Sequence, residues 1–72
     1  MQALLPKRFG LNLKQARERH DLSQAELGRR SGISQTEISR IEAGLREPML
    51  TTIVLLATAL NLDGSDLLGD IQ

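Results

Sequence analysis

The chain contains no cysteine, tyrosine or tryptophan, and it has one phenylalanine among its 72 residues. Without cysteine it can form neither disulfide bonds nor thiolate metal sites, and a reducing cytoplasm is the expected location. A core with so little aromatic mass must be built from aliphatic side chains. The longest apolar run, residues 53–57, is far shorter than the roughly 20 residues that cross a membrane. The first residues also lack the basic-then-apolar order of a signal peptide.

Charge is unevenly distributed along the chain, although the net charge is zero. Residues 1–46 contain all nine basic residues and five of the nine acids, a net charge of +4, whereas residues 47–72 contain four acids and no base. Neutrality by itself argues against a nucleic-acid partner. A dipolar chain, however, can present its basic end to phosphates and keep its acidic end away from them. Chance clustering in a short sequence explains the distribution equally well, so charge alone does not decide.

A short pattern, Ser-Gln-x-Glu, occurs twice, at residues 23–26 and 34–37. In such a capping box the serine hydroxyl accepts from the third backbone N–H of the helix, and the glutamate accepts from the N–H of the serine. Both copies therefore predict helix starts, and Gly32 and Gly44 predict the two helix ends. Two short helices joined by three or four residues are the outline of a helix-turn-helix, here at about residues 23–43. The second helix of this motif is the one that reads DNA.

Apolar periodicity predicts an all-α fold of five short helices in a single domain, residues 1–72. Phe9, Leu13 and Ala16 form the buried stripe of the first helix, with His20 completing it. Gly28 costs roughly 1 kcal/mol inside the second helix compared with alanine, which is tolerable if another backbone passes close by. Gly69 is expected to end the fifth helix. The predicted helices cover about residues 6–20, 24–31, 35–43, 50–60 and 63–68.

The third helix has two different faces when it is projected at 100° per residue. Ile38 and Ile41 lie on one side, and Thr36 and Arg40 lie almost opposite them. Ser39 lies on a flank of this polar face, and Gln35 lies in the first turn. Such a face is ordinary for a solvated helix, but it also suits the major groove. Glutamine pairs with adenine, arginine pairs with guanine, and a threonine methyl can contact the thymine methyl.

Residues 22–44, LSQAELGRRSGISQTEISRIEAG, resemble the helix-turn-helix of the lambda-repressor-like family, which includes phage repressors, Cro and the Xre regulators. The resemblance extends through Pro48 and the following helix and covers about residues 9–68. The residues that match the family pattern are Gln24, Gly28 and Gly32 and the apolar Leu27, Ile33, Ile38 and Ile41.

This resemblance implies a regulator that binds double-stranded DNA as a homodimer on a two-fold symmetric operator. It implies base contacts from Gln35, Thr36, Ser39 and Arg40, and phosphate contacts from Gln24, Ser34 and Arg46. It also implies a partly buried ion pair between Arg17 and Glu42. Helix geometry adds a separate reason to expect a partner for Glu42, which projects on the apolar side of its helix, where an unpaired carboxylate is costly. Arg29 and Arg30 are candidates for phosphate contacts, but they are also favourable against the helix dipole, and the structural role is favoured.

Two positions depart from the family pattern. Met49 replaces the usual capping serine of the fourth helix, where Thr51 or Thr52 could substitute. Leu55 replaces a charged residue, so that Val54 and Leu55 widen the apolar face of that helix. Residues 49–72 are therefore a candidate dimer or partner surface. The alternatives are a slightly apolar surface without a role, or an antitoxin-like module that docks a toxin-like protein through the fourth and fifth helices.

Catalytic and metal-binding functions find little support in the sequence. The chain has one histidine, no cysteine, no glycine-rich phosphate loop and no convergent pair of carboxylates. Asp63 and Asp66 suit a helix cap better than a metal site, because no further carboxylate completes a coordination shell. The sequence predicts no enzymatic activity, no metal and no cofactor.

Overall fold

The structure, a computed structural model, describes residues 5–68 and is all-helical over that range. The predicted fold class, five short helices without strands, is confirmed. The second helix has the predicted bounds, and each of the others differs from its predicted bounds by one residue at one or both ends. Gly69, the expected end of the last helix, lies outside the described residues. The helices are α1 Leu5–Arg19, α2 Gln24–Ser31, α3 Gln35–Glu42, α4 Leu50–Ala59 and α5 Gly64–Leu68.

The two predicted capping boxes differ in the structure. At the start of α2 the box is complete: the Glu26 N–H donates to Ser23 Oγ at 3.0 Å, and the Ser23 N–H donates to Glu26 Oε1 at 2.8 Å. At the start of α3 only the serine half forms, with the Glu37 N–H donating to Ser34 Oγ at 3.1 Å. The reciprocal half of the second box was therefore wrong. The Glu37 carboxylate pairs instead with Arg46.

Backbone geometry at the helix ends explains the sharp turns. Gly32 and Gly44 adopt left-handed conformations with φ of 78° and 76°, as expected for glycines that follow a helix. Asp21 and Asn61 take the same conformation after α1 and α4, with φ of 56° and 57°. Aspartate and asparagine tolerate this region better than other residues with a side chain. Four of the five helices are thus followed by a left-handed residue.

The start of α4 lacks a side-chain cap. Met49 is the N-cap residue, and no side-chain hydrogen bond satisfies the first N–H groups of the helix. The described hydrogen bonds include none from Thr51 or Thr52 that would substitute for it. Leaving these N–H groups to solvent weakens the first turn.

The core consists of side chains from all five helices. Phe9, Leu13 and Ala16 form the expected stripe of α1, whereas His20 was wrongly assigned to it, because His20 is exposed after the end of α1. The other buried apolar side chains are Leu22, Leu27, Ile38, Ile41, Leu56, Ala57, Leu60 and Leu67.

Two glycines allow close backbone contacts. A Cβ at residue 10 would overlap the carbonyl oxygen of Ile41, so α1 can cross the end of α3 closely only with glycine there. A Cβ at Gly28 would lie 2.9 Å from the carbonyl oxygen of Ile33, in the turn before α3. A backbone therefore does pass close to Gly28, which is the condition under which glycine is tolerable inside this helix. These contacts set how α3 sits against α1 and α2.

The short α5 is tied to α1 by a side chain. Asn12 Nδ2 donates to the carbonyl oxygens of Leu67 at 3.0 Å and Leu68 at 3.2 Å. These carbonyls lie in the last turn of α5, where no later helical N–H reaches them. Among the described residues, no helix is both long and apolar enough to span a bilayer.

Candidate nucleic-acid interface

Helix α3 is held by one face and exposes the other. Ile38 and Ile41 are fully buried, and the helix packs against α1 and α2. All four residues that the sequence assigned to base contacts are exposed on this single helix: Gln35, Thr36, Ser39 and Arg40. A short polar helix fixed by its apolar face and projecting from the surface has the form of a helix that enters the major groove.

The exposed face of α3 offers complementary kinds of hydrogen-bonding groups. Gln35 carries both a donor and an acceptor, Thr36 a hydroxyl and a methyl group, and Arg40 a donor fork. Within residues 5–68, Arg40 takes part in no ion pair. Its guanidinium therefore does not have to leave a protein carboxylate before it binds a base or a phosphate.

Ser34, a predicted phosphate contact, lies exposed at the N-terminus of α3. Its Oγ accepts the Glu37 N–H, which leaves the hydroxyl hydrogen free to donate to a phosphate oxygen. The first N–H groups of the helix and its positive dipole end lie at the same place. Ser34 can therefore cap the helix and contact the DNA backbone at once.

Arg46, another predicted phosphate contact, lies in the loop between α3 and α4. Its Nε is 3.3 Å from Glu37 Oε2, and its side chain is 52% exposed. An ion pair this exposed contributes at most about 1 kcal/mol. A phosphate can therefore compete with Glu37 for the Arg46 guanidinium. Without DNA, the ion pair holds Arg46 near the start of α3.

Arg17 and Glu42 are joined by a bidentate ion pair. Arg17 Nε donates to Glu42 Oε2 at 2.7 Å and Nη2 donates to Oε1 at 3.0 Å. The two side chains are 11% and 4% exposed. The hydrogen bonds to Glu42 raise the pKa of Arg17 against the opposing effect of burial. A third donor, Arg17 Nη1, reaches the carbonyl oxygen of Leu22 at 2.7 Å, so the guanidinium links α1, the loop before α2, and α3.

Gln24, the remaining predicted phosphate contact, also forms a hydrogen bond within the protein. It is half-buried at the start of α2, and its Nε2 donates to Glu42 Oε1 at 3.0 Å. Gln24, which is expected to contact a phosphate, thus has a hydrogen-bond partner inside the protein. Arg29 and Arg30 lie exposed in the last turn of α2, a position that allows both the phosphate and the dipole roles considered for them.

Exposed apolar side chains also lie on α4 and in the loop before it. Val54 and Leu55 are 51% and 45% exposed, as the widened apolar face of α4 predicts. Three more apolar side chains are exposed beside them: Met49 and Leu50 lie within the surface predicted for residues 49–72, and Leu45 lies in the loop before α4. We call the set the α4 surface: Leu45, Met49, Leu50, Val54 and Leu55.

Comparison with known proteins identifies the family. The model of the family described as helix-turn-helix (HTH_3) matches residues 13–67, most of the chain and all of the elements described above except the first turns of α1. The chain belongs to the lambda-repressor-like helix-turn-helix family. Members of this family are DNA-binding transcription regulators.

Two relatives and a solved structure are similar over most of this chain. An uncharacterized helix-turn-helix-type transcriptional regulator of Sinorhizobium fredii, y4dL, is 49% identical over 51 residues, which are 71% of this chain and 26% of that protein. The antitoxin PezA of Streptococcus pneumoniae is 34% identical over 86% of this chain and 39% of its own length. This chain therefore spans about a quarter to two-fifths of the length of these two relatives.

The solved structure is the restriction-modification controller protein C.AhdI from Aeromonas hydrophila. It superimposes with a TM-score of 0.84 at 34% identity, covering 86% of this chain and 94% of that one. The helix-turn-helix fold therefore extends over nearly the whole of a protein of similar size.

Several contacts that shape this helix-turn-helix site were missed by sequence reasoning. The Gln24–Glu42 hydrogen bond, the Arg46–Glu37 ion pair and the Asn12 contact with α5 all join residues far apart in the chain or across a loop. No local pattern indicates them. The hydrogen bond from Arg17 Nη1 to the carbonyl oxygen of Leu22 was also missed. A signal for it existed, because a polar side chain next to an apolar stripe needs hydrogen-bond partners. No group of three or more potential metal ligands occurs within residues 5–68.

Proposed function

We propose that the chain is a sequence-specific DNA-binding domain that represses transcription by occupying promoter DNA in the cytoplasm. The single observation that carries this proposal is the exposure of Gln35, Thr36, Ser39 and Arg40 on one helix whose opposite face is fully buried. The exposed side chains suit base edges, and the buried isoleucines fix the helix so that those side chains keep their positions.

The proposed active form is a homodimer on a two-fold symmetric operator. One α3 helix contacts only a few base pairs, which gives too little affinity for regulation. Two copies reading half-sites about one helical turn apart, roughly 34 Å, would combine their contacts. The α4 surface supplies exposed apolar area for the second copy to cover.

In vitro selection of bound duplex DNA, carried out at two salt concentrations, tests the proposal. The expected result is an inverted repeat, with an affinity that falls as salt rises because phosphate contacts release counterions. The slope gives the number of phosphates engaged. If the selection recovers unrelated sequences whose affinities all show the same salt dependence, the protein binds the DNA backbone without reading bases.

A second candidate function is an antitoxin-like module that docks a toxin-like protein through α4 and α5. The similarity to PezA and the exposed α4 surface favour it. Sedimentation of the purified protein separates the two candidates. A homodimer at micromolar concentration favours the regulator, whereas a monomer that binds no symmetric site would favour the partner-docking function.

A further inference from the structure

The glutamates of the two Ser-Gln-x-Glu patterns have different partners. At the start of α2, Glu26 Oε1 accepts the Ser23 N–H at 2.8 Å, and the capping box is complete. At the start of α3, Glu37 Oε2 lies 3.3 Å from Arg46 Nε instead. The backbone does not explain the difference, because Ser34 has the extended conformation of an N-cap residue, as Ser23 does. The start of α3 therefore has the geometry for a complete box, and its glutamate is engaged elsewhere.

The carboxylate of Glu37 can change partners without disturbing the helix. Its present ion pair is open to water, since the Arg46 side chain is 52% exposed and that of Glu37 is 29% exposed. Glu37 follows Ser34 by three residues, the spacing at which a glutamate reaches the N–H of the N-cap residue. The Glu37 N–H donates to Ser34 Oγ at 3.1 Å, a cap that depends on the backbone of Glu37 and not on its carboxylate. Only the side-chain rotamer has to change.

We propose that Glu37 sets the affinity for DNA by exchanging partners: when Arg46 binds a phosphate, the released carboxylate accepts the Ser34 N–H and completes the second capping box. This inference rests on the proposed DNA-binding function and on Arg46 as one of its phosphate contacts. Without DNA, Glu37 occupies the guanidinium that the phosphate has to bind. Glu37 therefore lowers the affinity for every duplex, and completion of the box offsets part of that cost.

A double-mutant cycle in the full chain tests whether Glu37 acts through Arg46. Glu37→Gln removes the charge but keeps a side chain that suits a capping box, and Arg46→Gln removes the cation. Glu47→Gln is the matched control, because Glu47 is an exposed acid next to Arg46 in the chain and takes part in no ion pair within residues 5–68. Affinity for the selected operator is measured for each single and double variant at one salt concentration. Circular dichroism establishes that each protein is folded.

Glu37→Gln should raise the affinity about two- to fivefold for each α3 helix engaged, because an exposed ion pair no longer has to break. In the Arg46→Gln background, the same substitution should change the affinity by less than about 1.5-fold, since no guanidinium is left to release. Glu47→Gln should have the same effect in both backgrounds, because it changes only the overall charge. If Glu37→Gln does not fold, Glu37→Ala takes its place in the cycle. A smaller gain is then expected, because alanine cannot complete the box.

Amide hydrogen exchange, measured by NMR, tests the second partner of the carboxylate. In the complex with the operator, the Ser34 N–H should exchange at least about threefold more slowly in wild type than in Glu37→Ala, which has no side-chain acceptor. Without DNA the two Ser34 rates should agree, because the wild-type carboxylate is then paired with Arg46. The Ser23 N–H, which is bonded to Glu26, is the internal control and should exchange alike in both proteins.

Three results would overturn the exchange of partners and leave the proposed function intact. In the first, Glu37→Gln lowers the affinity, which would mean that Glu37 holds Arg46 in place for the phosphate. In the second, its gain is the same with and without Arg46, so that the carboxylate only repels the duplex. In the third, the Ser34 rates of the two complexes are equal. A wild-type protein that selects no common site would instead refute the proposed function.

Discussion

At the scale of single residues, the Glu42 carboxylate connects α3 to α1 and to the start of α2. It accepts three hydrogen bonds from Arg17 and Gln24 in a nearly closed environment. Replacing both ion-pair partners by apolar residues can be harmless in proteins, but removing one partner leaves an uncompensated buried charge.

Glu42→Ala is therefore expected to lower the free energy of unfolding by about 3 kcal/mol, because Arg17 would be left buried without its carboxylate. Urea denaturation measures the change. Glu37→Ala provides the control, since it removes the carboxylate of the exposed pair with Arg46 and should cost less than about 1 kcal/mol. Equal effects of the two substitutions would show that the Glu42 pair adds nothing beyond an ordinary surface pair.

Individual residues also show which contacts could be predicted from the sequence and which could not. The need for a cation near Glu42 follows from its place on the apolar side of its helix, and the family resemblance identifies Arg17 as that cation. The role of Gly10 could not be read in the same way. A glycine inside a helix looks like a local weakness, and only the crossing of α1 with the end of α3 shows that a Cβ would meet the Ile41 carbonyl. Information about such contacts between distant segments is absent from any short pattern.

At the scale of helices, local chemistry decides most starts and ends. The serine caps and the glycines at residues 32 and 44 gave the bounds of α2 and α3 to within one residue. The ends of α1 and α4 were also predicted to within one residue, although Asp21 and Asn61 take the left-handed conformation that glycine usually supplies. The failed half of the second capping box has a different cause, because an arginine from a following loop attracts Glu37.

The uncapped start of α4 is a site at which the helix can be stabilised. Met49→Ser would place a hydroxyl at the N-cap, where the extended backbone of Met49 already has a suitable conformation. The substitution should raise the free energy of unfolding by about 1 kcal/mol, as measured by urea denaturation. Met49→Ala, which also removes the exposed methionine, controls for the loss of its side chain. Equal stability of the serine and alanine variants would show that a hydroxyl at residue 49 does not cap α4.

The complete capping box of α2 predicts a pH dependence of stability. The hydrogen bonds from the Ser23 backbone and hydroxyl lower the pKa of Glu26 below its ordinary value. A carboxyl with a lowered folded-state pKa stabilises the fold above its unfolded pKa, about 4.3, and this contribution is lost as the pH falls through the folded-state value.

Wild type should therefore be more stable than Glu26→Gln at pH 6, and the two should converge as the pH is lowered towards 3. Chemical denaturation at a series of pH values measures both curves. Parallel curves would mean that Glu26 titrates alike in the folded and unfolded states.

At the scale of the whole molecule, we propose that the α4 surface forms the homodimer and that α3 reads the DNA bases. Leu55→Asp should disrupt the proposed homodimer, because it places a charge in a surface that would be covered by the second copy. Leu11→Asp is a matched control, since Leu11 is also 45% exposed but lies on α1, outside the α4 surface.

Analytical ultracentrifugation should show that Leu55→Asp shifts the protein towards monomer and that Leu11→Asp does not. Operator affinity should fall at least tenfold for the former, as expected when one half-site must bind without the other. A dimer that survives Leu55→Asp would place the interface elsewhere.

The claim most central to this account is that the exposed face of α3 distinguishes DNA bases. Binding-site selection with wild type and Arg40→Ala in parallel tests it most directly. The account predicts that the variant loses discrimination at one position in each half-site, by about 1–3 kcal/mol, while the other positions keep their ranking. An identical ranking of sites for the two proteins would contradict the assignment of α3 as the reading surface.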